Sequence, residues 1–276
     1  MNEKQKAKII IKILNTIIDH KVKILEKSPT QENLTERVLA LNYKRNILRQ
    51  SGAKREEITA IDQIIASPPR DASLPKTLVD LSEYYNASLF HYSGFQAGHE
   101  NYDMRFLPNK YNQEENIPFD LRGLIQLNSG KYDDGQTIND FWQITRHNKI
   151  YPTEVTGIKI NLKARKIHFL MGAIFGGNMQ RGLTAATLVM HYDDGTSEKL
   201  PLIAKEDIFE WWQADSIENV DEDKRGWLGE NNLGNRRGFT KPYWNNPHPE
   251  KVITRIDYIS GQIKGAPFLI AITAEQ

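Results

Sequence analysis

Apolar positions in the first 68 residues recur every three or four positions. Ile10, Ile11, Leu14, Ile17, Ile18, Val22 and Leu25 form one such stripe, which predicts an amphipathic helix. Ser28-Pro29-Thr30 interrupts it, and Thr30 is placed to cap a second helix with Glu32 and Glu36 near its first turns. That helix carries Leu34, Val38, Leu41, Ile47 and Leu48 and ends at Ser51-Gly52, where glycine suits a left-handed terminus. A third runs from about Lys54 through Ile58, Ile61, Ile64 and Ile65 until Pro68-Pro69 stops it. Short connections make the three antiparallel neighbours. So small a unit buries little by itself, so it is expected to pack on the remaining chain, a second copy or a partner.

After the linker of residues 69–75 the period changes to two. Thr77–Leu81 reads as a short strand, and Phe119–Leu127 as one with Phe119, Leu121, Ile125 and Leu127 on a single face. Val155–Leu162 sets Ile158, Ile160 and Leu162 against Lys159 and Asn161. The run from Ile167 to Phe175 is apolar on both faces, the mark of a central strand covered twice. In the hairpin around Asp193-Asp194-Gly195, a two-residue turn would set Leu188 against Pro201 and Met190 against Lys199. A three-residue loop with Gly195 left-handed sets Leu188 against Leu200, Tyr192 against Thr196 and His191 against Ser197. The second register aligns Leu188, Met190 and Tyr192 with Leu200 and Leu202 and is the one expected. Residues 204–250 read as a long polar and aromatic excursion, and Val252–Ser260 and Pro267–Thr273 as closing strands. The fold class is α+β by segregation: an antiparallel helical unit (1–68), then a mainly antiparallel β-sandwich of jelly-roll kind (76–276).

Composition narrows the functional classes. Lys and Arg total 36 against 35 Asp and Glu, a net charge of +1 that argues against nucleic acid as partner. With no cysteine, disulfides and thiolate metal sites are excluded. No apolar run is long enough to span a membrane, and Lys12 breaks the early Ile9-Ile10-Ile11 run, so neither a secretory signal nor a membrane partner is expected and the expected location is the cytoplasm.

Seven separated strings carry a resemblance: LVDLSEYYNASL (78–89), IPFDLRGLIQLNSG (117–130), YPTEVTGIKINLKARKIHFLMGA (151–173), VMHYDDGTSEKLPL (189–202), WWQ (211–213), PYWNNPHPE (242–250) and APFLIAITAE (266–275). In order, they resemble a bacterial β-sandwich domain of galactose-binding-like jelly-roll type, found at the C-terminus of multidomain proteins. The resemblance covers about residues 76–276 and implies the fold and a non-catalytic accessory role, with no catalytic motif to carry over.

The chemistry-bearing residues are sparse. No nucleophile elbow, P-loop, zincin motif or dinucleotide fingerprint occurs, and no catalytic residue, metal or cofactor is assigned. His91, His99, Glu100 and Asp103 share a loop without standard zinc spacing. Asp215, Glu218, Asp221, Glu222 and Asp223 form an acidic cluster without the glycine punctuation of a calcium loop. His168 reads as a hydrogen-bonded core histidine, and Asp120 with Arg122 as an ion pair. Carboxylate pairs can be drawn from Asp193, Asp194, Glu206 and Asp207, although the first two suit the turn. The strongest signal is aromatic: Trp211, Trp212, Trp227 and Trp244, with Asn231, Arg237 and Asn246 nearby and His191 as a further candidate. Flat rings stack on the apolar face of a sugar while amide and guanidinium groups bond its hydroxyls; the same rings can instead plug the end of a sandwich. The expected function is a non-catalytic module binding a glycan or similar polar ligand. The alternative is an assembly protein whose residues 1–68 bind a protein partner or a second copy.

Overall fold

The computed structural model describes residues 3–27, 31–89, 104–107, 117–140 and 150–276. Helices α1 (Glu3–Leu25), α2 (Gln31–Gln50) and α3 (Arg55–Ala66) come first. Gly52, at φ 71°, closes α2 as expected, with Gly52 N–H donating to Arg49 O and Ala53 N–H to Leu48 O. The cap at Thr30 lies outside the described residues. Ion pairs between α1 and α2 join Lys21 to Glu36, Asp19 to Lys44 and Glu26 to Arg37, an antiparallel pairing. Arg45 reaches Asp62 on α3 at 2.7 Å.

Two antiparallel sheets follow, as the segregated α+β reading requires. The larger contains β1 (Ala87–Ser88), β2 (Gly123–Gln126), β4 (Lys166–Ile174), β7 (Arg225–Glu230), β8 (Arg236–Thr240), β9 (Tyr243–Asn245) and β11 (Ala266–Glu275), in the order β1-β2-β11-β4-β8-β7 with β9 also paired to β4. The smaller contains β3 (Glu154–Leu162), β5 (Thr184–Tyr192), β6 (Ser197–Ile203) and β10 (Ile253–Ser260), in the order β3-β10-β5-β6. The core between them holds Ile158, Phe169, Met171, Leu188, Met190, Ile256, Tyr258 and Ile272.

Strand β4 is buried along nearly its whole length and has neighbours on both sides, matching its two apolar faces. Ile167, Phe169, Met171 and Ala173 enter the core between the sheets, while Leu170 and Ile174 face the opposite way. The β5–β6 hairpin adopts the bulged register: Leu188 lies opposite Leu200 and His191 opposite Ser197, and Gly195 sits at φ 83°.

Three readings of the sequence need correction. The strand expected over Thr77–Leu81 reduces to a single bridge, Leu78 opposite Thr273. The strand expected over Phe119–Leu127 begins only at Gly123. Phe119 and Leu121 pack on the outer side of the large sheet, whereas Ile125 and Leu127 pack between the sheets. The alternation breaks at Arg122, whose guanidinium binds Asp120 at 2.8 Å, Asp80 at 2.7 Å and the carbonyl of Pro68 at 2.9 Å. Arg70 binds the other oxygen of Asp120 at 3.0 Å, so this half-buried network fastens the linker to the sandwich. The 204–250 excursion, read as a loop, contains β7, β8 and β9. Its glycines and polar residues conceal a period of two that pairing with β4 completes.

The layers are helices, large sheet and small sheet. Helix α3 packs on β1, α2 on α3 and α1 on α2, which leaves α1 outermost among the described residues. Val38, Leu41, Ile61 and Ile65 join Leu124, Leu170, Phe239, Phe268 and Ile270 in one buried cluster. Helical unit and sandwich thus share a core.

Candidate functional site

The outer face of the large sheet gathers four of the eight residues singled out above. Trp227 on β7 lies opposite Phe239 on β8, and their rings are 6.1 Å apart. Trp211 stacks on Phe239 at 6.1 Å and 15°, and Trp212 meets Trp211 edge-on at 5.7 Å. Arg237 on β8 holds its guanidinium 5.4 Å and 5.1 Å from the Trp211 and Trp212 rings, a cation over two π-faces. Trp211 is 1% exposed, while Trp212 and Trp227 are partly buried, with Phe106 covering Trp227 at 5.1 Å.

At the edge of this cluster sits a group that the sequence reading did not weigh. Glu210 accepts hydrogen bonds from the N–H of Gly176 at 2.7 Å and of Trp212 at 3.4 Å. A side chain on Gly176 would collide with the backbone of Glu210, so glycine is required for that approach. Burial pushes the Glu210 carboxyl up to about 7, against the backbone bonds and the nearby Arg237 charge that pull it down. Burial in turn lowers Arg237, and Glu210 opposes that shift. The available signal was a lone carboxylate inside the apolar run Ile208–Trp212.

The other four candidates lie elsewhere. Asn231 uses its side-chain oxygen to accept from the N–H of Leu233 and of Asn235, holding the β7–β8 turn. Trp244 on β9 lies opposite Ile167 and packs between the sheets, on the reverse side from Trp211. Asn246 donates to Ala164 O at 2.8 Å and accepts from the Tyr192 hydroxyl at 2.5 Å. His191 projects from the small sheet and pairs with Asp257 at 2.7 Å, whose other oxygen accepts from Gly157 N–H and so links β5, β10 and β3. The four tryptophans therefore do not make one surface.

Further polar residues are engaged with one another. His168 is buried, with its Nε2 3.2 Å from Glu275, and burial lowers its pKa. Asp194 accepts from Thr196 within the hairpin turn and pairs with Lys251. Asp207 pairs with Lys224, and Asp215 and Glu218 both pair with Arg236. Among the described residues no group of three or more His, Asp or Glu is arranged to hold a metal ion. The loop of His91, His99, Glu100 and Asp103 lies outside them. A cleft of about 370 Å³ opens between residues 76–84 and β3, but its Lys159 and Glu83 pair with each other and its Asp80 with Arg122.

The helical unit presents a different surface. Ile10, Ile13, Ile17 and Ile24 on α1 are 53–59% exposed, and Leu39 and Tyr43 on α2 are 45% and 57% exposed. The Lys21–Glu36 ion pair shows that these belong to one face. Lys21 stands four residues after Ile17 and three before Ile24, while Leu39 and Tyr43 follow Glu36 by three and seven, so each set shares its helix side with the pair. Ile18 and Val22, from the same predicted stripe, are buried in the shared core. No helix of the described residues is long and apolar enough to cross a membrane.

Compared with family models, curated proteins and solved structures, the chain matches none.

Proposed function

We propose that this chain is a non-catalytic interaction protein in which the sandwich is a rigid base and the α1–α2 face receives a partner. The observation that carries the reading is the apolar face itself. Covering its four half-exposed isoleucines would contribute on the order of 1 kcal/mol apiece. A contiguous exposed patch of this kind marks an interaction surface in a soluble protein. The rings of Trp211, Trp227 and Phe239, by contrast, are spent on one another. Native mass spectrometry of the protein purified from its own cells tests the reading. A complex is expected for the wild type and for Trp212→Ala, and none for Ile17→Asp.

One observation favours a second reading, in which a galactose-binding-like jelly roll recognises a carbohydrate or other polar ligand. Trp212 is only partly buried and lies beside both Arg237 and the Glu210 carboxyl, which pairs a ring face with hydrogen-bonding groups. Affinity electrophoresis against a glycan panel separates the two readings. Binding that disappears in Trp212→Ala and survives in Ile17→Asp would favour the second.

A further inference from the structure

The exposed residues of α1 follow a tighter rule than amphipathicity. Ile10, Ile13, Ile17, His20 and Ile24 are spaced three, four, three and four apart, which is the a/d repeat of a coiled-coil seam, and all five are exposed. A second stripe on the same helix, with Leu14 and Leu25 half-buried, places Ile18 and Val22 in the buried cluster that α2 shares. Helix α1 therefore carries two seams and α2 fills one. The open seam faces the same way as Leu39 and Tyr43 of α2, so the hairpin offers a groove into which one more helix fits, with side chains inserting from both walls.

Charge selects among occupants. Residues 1–50 hold eleven Lys and Arg against five Asp and Glu, a net +6, leaving 25 against 30, a net −5, for the rest of the chain. The α1 positions flanking the seam are Leu14 and Lys21 on one side and Ile9, Thr16 and Lys23 on the other; none is acidic, and Glu36 on the α2 wall is paired with Lys21. Flanking charges set partner choice in such seams, and two copies packed α1 seam to α1 seam would bring their lysines together.

We infer that the α1–α2 groove receives an amphipathic helix of another protein whose heptad-spaced apolar residues are flanked by Asp and Glu. This rests on the assembly reading above and names the chemistry of its partner. The helix lies along α1, its apolar side chains between Ile13, Ile17 and Ile24 on one wall and Leu39 and Tyr43 on the other. Its acidic flank faces Lys23.

The test uses the full chain with two synthetic four-heptad peptides that share one Ile/Leu seam and differ only in carrying Glu or Lys at every flanking position. Fluorescence anisotropy is expected to show the Glu peptide binding at least about tenfold more tightly than the Lys peptide. Ile17→Asp should abolish binding without moving the thermal midpoint, because Ile17 is exposed, and Lys23→Glu should reduce the preference to about threefold or less. Equal binding of both peptides, lost in Ile17→Asp, overturns the acidic partner and leaves the assembly reading standing. Failure of both peptides, with Ile17→Asp also leaving the native complex intact, overturns the two together. Oligomers of the chain alone in sedimentation that Ile17→Asp dissolves would make a second copy the occupant. Co-sedimentation with phosphatidylglycerol vesicles, lost in Ile17→Asp while the peptides fail, would make it a lipid surface. Either result overturns the inference.

Discussion

Two apolar faces stand in this molecule, and they differ in what covers them. The outer face of the large sheet carries Trp211, Trp227, Phe239 and Phe268, and helices and neighbouring segments close over it. The outward face of α1 and α2 carries isoleucines, a leucine and a tyrosine, and nothing in the described chain lies on it. Ring content pointed to the first as a recognition surface. Yet large flat side chains are also the most effective filling between a sheet and its cover, and here they stack within 5–7 Å of one another. Unremarkable isoleucines in a helical stripe read as core, and half of them are exposed. Residue type told less about which face is covered than the number of layers stacked on it.

The contrast can be broken most directly by truncating one residue from each face. Trp211→Ala should cost about 3–5 kcal/mol in urea unfolding, as for other buried aromatics, whereas Ile17→Asp should stay within about 0.5 kcal/mol. Similar values for the two would mean that Trp211 is not structural. The join between the two regions comes next. Asp120→Ala removes the partner shared by the buried Arg122 and by Arg70, and should cost about 3 kcal/mol. The same change should expose residues 68–75 to limited proteolysis before the sandwich unfolds; cutting at wild-type rate would show that the network does not hold the linker.

The smallest effect concerns Glu210 at the margin of the covered face. Its carboxyl titrates near 7 in the folded chain against an ordinary 4.5. Between those values the folded chain keeps a proton that the unfolded chain has released. The contribution is therefore fully present below 4.5 and is lost as the pH rises through about 7. Glu210→Gln stays neutral throughout, so its melting midpoint should match wild type near pH 4 and exceed it by a few degrees at pH 8. Parallel midpoints at both pH values would place that carboxyl in water.

Local signals were legible wherever the chemistry is local. Gly195 and its two preceding aspartates define the bulged turn, and that turn determines which of Leu188, Val189 and Met190 face inward. Strand β4 announced its central place because both of its faces are apolar. Strands β7 and β8 escaped notice because Gly226, Gly229 and Gly238 break their alternation, and their partners lie far away in sequence. Glu210 escaped because its neighbours in space, Gly176 and Arg237, are about thirty residues away on either side.

By itself, then, the sequence determined the three helices, the central strand β4 and the hairpin register, all of which depend on neighbours within a few positions, and it excluded cysteine chemistry. Only the tertiary structure decided that Trp211 and Trp244 point to opposite sides of one sheet, and that α1 is the last layer of the stack among the described residues. A hydrophobic period marks a face that can be buried, but whether another layer lies on it depends on how distant segments pack. For Ile10, Ile13, Ile17 and Ile24 the described residues supply no such layer.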